Sequence, residues 1–206
     1  QALRDQAARL KQWLQAHPEA SWANVVFTAS AGRTHFDSRA AILAGNATDA
    51  MDRLEALAQG KTDANVLEGK DEKSGRLAFL FTGQGSQSTQ MSQGLYEAYP
   101  AYRKALDSIA EALDKHLEQP ILSIVFAEAG SESAALLNET QWTQPALFAV
   151  ECALYRFWES LGVVPDYLLG HSIGELSAAH VAGVLSLEDA ATLVCARGRL
   201  MQACEP

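Results

Sequence analysis

The chain has 206 residues, enough for one or two domains with a real hydrophobic core. Sixteen Lys and Arg against twenty-five Asp and Glu give a net charge of −9, which argues against nucleic-acid binding. Residues 1–75 carry nine basic and ten acidic side chains, for −1, whereas residues 76–206 carry seven and fifteen, for −8. An anionic ligand of the second part must therefore be held by a few local cations or by backbone amides.

Cysteine use and hydropathy indicate a cellular compartment. The three cysteines form no CxxC pattern and leave one unpaired, which predicts reduced thiols in a cytoplasmic protein. No apolar run reaches the roughly 18 residues of a membrane-spanning helix, so no membrane partner is expected. The chain opens at Gln1 without an initiator Met or signal peptide, and both ends lie beside helical patterns, which predicts a segment of something longer.

The first 44 residues predict one helix and two strands. Apolar residues at helical spacing predict a helix that ends before Pro18. The short apolar runs 22–29 and 39–44 are predicted to be strands, since turn-forming residues separate them.

A second helix is predicted with Thr48 as its N-cap and Gly60 just after its end. Residues 1–60 thus predict a small α+β unit. The polar stretch 61–75 is the best linker candidate, although Val66 and Leu67 could form a brief edge strand.

A different pattern starts at Leu77. The apolar runs 77–81 and 167–169 predict short strands, the first of them covered on both faces. Three helices are predicted in this part of the chain, because each range shows the apolar spacing or the capping residues typical of a helix. They run over 95–113, from the N-cap Thr143 to Gly162, and from Ser186 to about Cys204. Because strands and helices alternate without hairpin signals, the sequence favours a mostly parallel sheet.

The run Gly170-His171-Ser172-Ile173-Gly174 is a G-x-S-x-G between a predicted strand and a predicted helix. A serine on such a tight turn exposes its Oγ, and glycines on both sides let neighbouring backbone approach. Ser172 is therefore the predicted nucleophile, with the Ile173 N–H at a helix N-terminus available to a developing oxyanion. A chance G-x-S-x-G in a glycine-containing turn is the alternative interpretation.

A second loop could supply another oxyanion donor. Gly83-Gln84-Gly85 follows the strand 77–81, and its glycines allow a turn that aims the Gln84 N–H at the site. A phosphate-binding loop or a simple turn are the alternatives, and the absence of a P-loop lysine argues against nucleotide phosphates.

Arg197 is one of only two basic residues in 157–206, with Arg199. An arginine can hold a carboxylate through two parallel hydrogen bonds. A surface arginine near a helix C-terminus is the competing interpretation, favoured by the helix dipole.

The general base is not evident. Ser172 needs a histidine within hydrogen-bond reach. The side chain of His171 should leave the turn in another direction, and His180 lies about 12 Å further along the predicted helix. The remaining histidines are predicted to be ordinary surface or packing residues: His17, His35 and His116. A base downstream of the chain is the simplest resolution.

Four spaced motifs resemble the malonyl/acyl-CoA:acyl-carrier-protein transacylases of type I polyketide synthases. They are the runs 83–87, 143–147 and 170–175 and the triplet Ala196-Arg197-Gly198. The resemblance covers residues 76–206. Residues 1–75 are similar to the α/β linker that joins ketosynthase to acyltransferase.

The resemblance implies roles for individual residues. Ser172 would accept the acyl group, the amides of Gln84 and Ile173 would form the oxyanion hole, and Arg197 would hold the free carboxylate of the extender unit. Two further side chains would line the site: Gln144 and His171.

The implied fold is α/β: an α+β linker domain over 1–75, then the partial α/β-hydrolase-like core of an acyltransferase over 76–206. The family's catalytic histidine and ferredoxin-like subdomain would follow residue 206. The aliphatic Ile173 after the nucleophile resembles malonyl-selective members. No metal or bound cofactor is implied. The implied substrate is malonyl-CoA, and the implied partners are the phosphopantetheine of an acyl carrier protein and an adjacent ketosynthase within a homodimeric synthase.

Two other functions compete with this one. An α/β serine hydrolase or thioesterase would share the turn at Ser172, but would not account for Gln84, Gln144 and Arg197 together. This segment by itself could also be an inactive scaffold or interdomain piece, because no base is found in it.

Overall fold

The computed structural model describes residues 1–70 and 75–204, and the chain divides into two compact units, residues 1–75 and 76–206. Part of the predicted linker, residues 71–74, and the last two residues, 205–206, lie outside the described residues. No helix in the described part of the chain is both long and apolar enough to cross a membrane.

The first unit contains three helices. They are α1 (Ala2–Ala16), α2 (Trp22–Ser30) and α3 (Ala47–Gln59). Helices α1 and α3 pack together, and their contact buries a small core of four residues: Ala7, Leu14, Leu54 and Leu57. The predicted first helix is confirmed.

The predicted strand over 22–29 is wrong, because this segment is helix α2. Its β-branched and aromatic residues favour a strand only where a neighbouring strand can pair with them. Here the backbone satisfies its hydrogen bonds within the segment instead, and no residue of α2 is buried. A short apolar run cannot distinguish a strand from a helix by periodicity alone.

Helix α3 begins earlier than predicted. Its N-cap is Asn46 and not Thr48, since the Asn46 Oδ1 accepts a hydrogen bond from the Asp49 N–H at 2.9 Å. The predicted end is confirmed, because Gly60 adopts the left-handed conformation, with φ 66°, that ends many helices.

The strands of the first unit form an antiparallel pair. Strand β1 (Ser38–Ile42) lies against β2 (Val66–Lys70), with Ser38 opposite Lys70 and Ile42 opposite Val66. The predicted strand over 39–44 is confirmed. The brief edge strand expected at Val66 and Leu67 is five residues long, so the predicted linker stretch includes a strand of the first unit.

The sheet of the second unit is parallel. Strands β3 (Ala78–Phe81) and β4 (Tyr167–Gly170) pair along their full lengths, which confirms both predicted strands. The expectation that β3 is covered on both faces is wrong among the described residues. Side chains alternate between the faces of a strand, and Phe81 is buried whereas Leu80 is 72% exposed and Leu169 is 65% exposed.

Seven helices make up the rest of the described second unit: α4 (Gln93–Ala98), α5 (Pro100–Asp114), α6 (Ile121–Val125), α7 (Glu132–Leu136), α8 (Thr140–Ser160), α9 (Ile173–Val181) and α10 (Leu187–Gln202). The single helix predicted over 95–113 is two helices, because Tyr99 is extended and Pro100 starts a new helix. Helices α6 and α7 are too short to leave a periodic pattern.

Helix α8 is the centre of the second unit. It packs against α5, α9 and α10, and residues on all its sides are buried. Its predicted start at Thr143 is wrong, since the helix begins at Thr140 and the Thr143 hydroxyl donates back to the Leu137 carbonyl at 2.6 Å. Pro145 therefore lies inside the helix and not in its first turn.

The predicted start of α10 is confirmed. The Ser186 Oγ accepts a hydrogen bond from the Asp189 N–H at 3.1 Å, as an N-cap does.

Candidate active site

Ser172 lies on a sharp turn between the end of β4 and the start of α9. Its φ of 57° and ψ of −114° are unusual for a residue with a side chain, at a cost on the order of 1–3 kcal/mol. The side chain is exposed, so its Oγ is accessible.

The two glycines beside Ser172 are required by crowding. A Cβ on Gly170 would lie 2.2 Å from the Gly174 carbonyl carbon. A Cβ on Gly174 would lie 2.4 Å from the carbonyl oxygens of both Phe81 and Thr82. Backbone atoms cannot turn aside as a side chain can, so the turn and the loop after β3 are in direct backbone contact.

The loop after β3 lies beside the same turn. A Cβ on Gly83 would be 2.6 Å from the His171 Nδ1, and Gly85 has a φ of 115° that favours glycine. The Gln84 side chain donates to the Thr140 Oγ1 at 3.0 Å, at the first residue of α8. This contact ties the loop to the central helix.

The two predicted oxyanion amides have no hydrogen-bond acceptor among the residues that the structure describes. Among the hydrogen bonds of the described residues, none uses the backbone N–H of Gln84 or of Ile173. The Ile173 N–H belongs to the first turn of α9, where helical amides have no intrahelical partner. The Ile173 side chain is fully buried in the core.

Arg197 reaches Ser172 from α10. Its Nη2 donates to the Ser172 Oγ at 3.1 Å, and its Nη1 donates to the Gln144 Oε1 at 2.6 Å. The side chain is half-buried, so Arg197 is not the freely solvated surface arginine of the competing interpretation.

Close packing of α10 on α8 brings Arg197 to this position. A Cβ on Gly198 would be 3.2 Å from both the Gln141 Cα and the Thr140 carbonyl oxygen. A glycine after Arg197 therefore lets the last part of α10 approach the first turn of α8. The spacing of the two motifs in sequence gives no sign of this contact.

Gln144 orients the arginine. It is 1% exposed, its Oε1 accepts from Arg197, and its Nε2 donates to the Met201 Sδ at 3.3 Å. With the amide nitrogen directed at sulfur, the amide oxygen faces the guanidinium. The geometry thus brings Ser172, Arg197 and Gln144 together, with His171 and Gln84 in the adjoining loops.

No histidine serves Ser172 in this arrangement. Among the hydrogen bonds of the described residues, none joins Ser172 to a histidine. The His180 Nδ1 lies 3.1 Å from the Leu185 carbonyl oxygen, and its ring packs against Phe148 with the centroids 5.7 Å apart. Three other histidines have hydrogen-bond partners elsewhere: His17, His35 and His116.

The two buried cysteines, Cys152 and Cys195, do not compete with Ser172 as candidate nucleophiles. All three cysteines are free thiols, and burial raises the pKa of Cys195 to about 12. Burial raises the pKa of Cys152 further still, and the nearby Glu151 carboxylate adds to this effect. Within the described residues, no cluster of three histidine, cysteine or acidic side chains could hold a metal ion.

Sequence reasoning missed one functional candidate, Glu151. This half-buried residue of α8 accepts hydrogen bonds from the Thr82 N–H at 2.7 Å, the Thr82 hydroxyl at 2.8 Å and the Ser177 hydroxyl at 2.7 Å. Burial raises the pKa of the Glu151 carboxyl, and these hydrogen bonds offset part of the increase. Its signal in the sequence is a single acid inside the apolar run 145–153, where charged residues are rare.

Two known families match the chain. The acyl transferase domain family matches residues 78–206. The chain belongs to this family. A second family, described as CurL-like, PKS C-terminal, matches residues 1–54 of the chain, ahead of the acyl transferase domain.

Relatives of this acyl transferase chain include synthases and solved domains. Polyketide synthase GfsA of Streptomyces halstedii is 49% identical over 202 residues, covering 98% of this chain and 3% of the synthase. A solved acyltransferase domain from the second module of the salinomycin polyketide synthase is 42% identical, with a TM-score of 0.74 over 99% of this chain and 46% of that one. A solved malonyl-CoA:acyl carrier protein transacylase from Xanthomonas oryzae is 40% identical, with a TM-score of 0.56 over 65% of this chain and 40% of that one.

The acyl transferase chain thus spans less than half of each of these solved structures and a few per cent of the synthase. The family and its polyketide synthase relatives favour a transferase over the serine hydrolase or thioesterase alternative.

Proposed function

We propose that this chain carries the nucleophile of a polyketide synthase acyltransferase, which moves a malonyl-type group from CoA to an acyl carrier protein. The observation that carries the proposal is the contact between Arg197 and Ser172, with a guanidinium 3.1 Å from the nucleophilic oxygen and oriented by Gln144. A hydrolase acting on uncharged acyl groups has no use for a fixed cation at this point. A transferase that selects a carboxylated acyl group needs one.

The reaction proceeds in two exchanges. The Ser172 Oγ attacks the thioester carbonyl carbon, the carbon–sulfur bond breaks, and CoA leaves as a thiol with the proton that the serine gave up. The phosphopantetheine thiol of the carrier protein then attacks the acyl-serine and releases Ser172. Covalent catalysis divides one difficult exchange into two easier ones. A histidine outside residues 1–206 carries the proton in both steps.

The amides of Gln84 and Ile173 form the oxyanion hole. Both N–H groups lack an acceptor among the described residues and flank the turn that carries Ser172. One such donor contributes on the order of 3 kcal/mol to transition-state stabilisation. The loop after β3 and the first turn of α9 therefore have to keep a fixed separation.

Arg197 binds the free carboxylate of the extender unit. The carboxylate replaces the Ser172 Oγ as the partner of Nη2, which leaves the serine hydroxyl free for its base. The Gln144 Oε1 accepts a hydrogen bond from Nη1 on the other side, so the Arg197 guanidinium cannot rotate away from the carboxylate. Residues 76–206 carry a net charge of −8, which repels an anionic substrate. The attraction between Arg197 and the substrate carboxylate exceeds this repulsion only at short range.

Ile173 affects extender choice indirectly. Its side chain is fully buried and packs in the core, so it cannot contact the acyl group. An aliphatic residue here instead sets the position of the α9 backbone. We infer that His171, whose ring lies against Gly83, lines the site beside Ser172.

The larger protein is a multidomain synthase. Residues 1–75 form the linker between a ketosynthase and this domain, supported by the PKS C-terminal family match over 1–54. We expect a homodimeric cytoplasmic enzyme whose partners are malonyl-CoA and the phosphopantetheine of a carrier protein, without a metal, nucleic acid or membrane.

Mass spectrometry tests the proposal directly. The parent synthase is incubated with malonyl-CoA, quenched and digested, and the peptide containing Ser172 is weighed, with Ser172→Ala as the control. A stable malonyl ester on Ser172 that disappears when carrier protein is added supports the transferase. Rapid release of free malonate with no carrier protein present would instead indicate the hydrolase, and an adduct that survives Ser172→Ala would contradict the assignment of the nucleophile.

The segment by itself is expected to be inactive. No histidine in it serves Ser172, so the isolated 206 residues should transfer no acyl groups at a useful rate. Robust loading of a carrier protein by this segment alone would contradict the need for an outside base.

A further inference from the structure

Glu151 is a carboxylate that the proposed reaction leaves without a role. It belongs to α8, and its three hydrogen bonds go to two other elements. One carboxylate oxygen accepts from the Thr82 N–H at 2.7 Å and from the Thr82 hydroxyl at 2.8 Å, in the loop after β3. The other oxygen accepts from the Ser177 hydroxyl at 2.7 Å, in α9.

These two elements carry the two oxyanion amides. Gln84 follows Thr82 by two residues in the same loop. Ser177 lies one turn after Ile173, so it is on the same face of α9. The loop and the turn also touch, because the Thr82 carbonyl oxygen lies against Gly174. A shift of Thr82 relative to α9 must therefore change the distance between the Gln84 and Ile173 amides.

We propose that Glu151 is a positioning residue that fixes the separation of the two oxyanion donors by holding Thr82 and Ser177 on one carboxylate. This inference rests on the proposed function. Among the hydrogen bonds of the described residues, none joins Glu151 to Ser172. Removal of the Glu151 carboxylate deprives three polar groups of their shared acceptor and frees the loop to move, and a displacement of about 1 Å in a catalytic group can cost on the order of 100-fold in rate.

The test uses the parent synthase and three substitutions. Glu151→Ala removes the acceptor. Glu151→Gln keeps a carbonyl oxygen for Thr82 and presents an amide N–H to Ser177, whose hydroxyl can then bond back to the carbonyl one turn earlier in the helix. Glu159→Ala is the matched control, since this exposed glutamate of the same helix pairs with Arg156 at 2.9 Å and contacts neither Thr82 nor Ser177 through any hydrogen bond of the described residues.

The readout separates positioning from folding. In a single turnover with malonyl-CoA, the final amount of malonyl-Ser172 counts the folded active sites, and the rate constant reports the chemistry in each of them. We expect Glu151→Ala to lower the rate constant by about 10- to 100-fold and to change the KM for malonyl-CoA by less than about 3-fold. Glu151→Gln should recover most of the rate, and Glu159→Ala should match the wild type.

Two results would overturn the inference. If Glu151→Ala lowers only the final amount of adduct and leaves the rate constant unchanged, Glu151 supports the fold and nothing more. If that variant does not fold, Thr82→Val removes one of the three hydrogen bonds with little change in shape, and an unchanged rate constant in Thr82→Val refutes positioning. Failure of the wild type to form malonyl-Ser172 refutes the proposed function itself, which keeps the two failures distinct.

Discussion

Removal of the Arg197 side chain should change which acyl group is transferred. The Arg197 fork faces the Ser172 Oγ with one nitrogen and Gln144 with the other. Arg197→Ala leaves the carboxylate of malonyl-CoA without a cation, whereas acetyl-CoA has no carboxylate to lose. We therefore expect a fall in kcat/KM for malonyl-CoA and no comparable fall for acetyl-CoA.

The size of the effect follows from two charge-assisted hydrogen bonds to the carboxylate, one from Nη2 and one from the second N–H of Nη1, since Gln144 accepts only the other N–H of Nη1. Each contributes about 1.5–3 kcal/mol when its charged partner is shielded from water. Arg197 is half-buried beside an exposed serine, so solvent screening favours the lower end, about 3 kcal/mol for the pair. This corresponds to a loss of roughly 100-fold in kcat/KM for malonyl-CoA and an equal shift in the malonyl-to-acetyl ratio.

The assay compares the two substrates in the parent synthase. Arg199→Ala is the matched control, because Arg199 lies two residues further along α10, is exposed and faces another direction. Arg197→Lys should fall between wild type and alanine, since lysine keeps the charge but not the planar fork. An unchanged malonyl-to-acetyl ratio in Arg197→Ala, or an equal change in Arg199→Ala, would refute the carboxylate clamp.

Three further predictions concern the fold and its ionisable groups. Gly174→Ala should lower the free energy of unfolding of the chain by at least about 2 kcal/mol in urea titrations, since its Cβ would meet backbone oxygens at 2.4 Å. Gly94→Ala is its control, because nothing lies within 4 Å of a Cβ there; a similar loss in both variants would contradict the crowding argument. The pKa of Glu151 is raised in the folded chain, so just above the ordinary carboxyl range the folded chain holds a proton that the unfolded chain has lost. The contribution of Glu151 to the free energy of unfolding should therefore fall as the pH rises through this range. Glu151→Gln should flatten that slope just above the ordinary carboxyl range, and an unchanged slope in urea titrations at several pH values would refute it. Iodoacetamide should label the exposed Cys204 of the folded chain well before the buried Cys152 and Cys195, and mass spectrometry of the peptides can measure the order. Early labelling of Cys152 or Cys195 would contradict this prediction.

Features set by local chemistry can be predicted from the sequence. The αL position after α3 requires a residue like Gly60, and the start of α10 requires a side-chain acceptor like that of Ser186. The turn at Ser172 is of the same kind, since its glycines are required by backbone atoms a few residues away. In each case the physical cause lies within one turn of chain or one tight loop.

Most of the features missed are set by packing, although the N-cap of α3 at Asn46 and the start of α8 at Thr140 are local features that were also missed. Residues 22–29 carry strand-forming side chains, but whether they pair depends on the presence of a neighbouring strand, which sequence does not reveal. The exposed face of β3 has a similar origin, because burial of Leu80 depends on what covers the sheet.

The candidate site shows the same division. Ser172 stands out in sequence because its motif is contiguous. The position of Arg197 depends on the approach of α10 to α8 at Gly198, and the role of Glu151 depends on three elements meeting at one carboxylate. Spacing along the chain can suggest such residues, but only tertiary contacts assign them partners.

Both halves of the proposed mechanism depend on the same face of α8. Gln144 and Glu151 are seven residues apart, close to two full turns, so their side chains project from the same side of the helix. Gln144 directs the arginine that selects the substrate, and Glu151 holds the two segments that carry the oxyanion amides. Because α8 is packed on all sides, neither side chain can shift independently of the core. In the proposed mechanism, substrate selection and transition-state stabilisation are therefore coupled through one buried helix, and this coupling gives a function to Gln144 and Glu151 in its largely apolar interior.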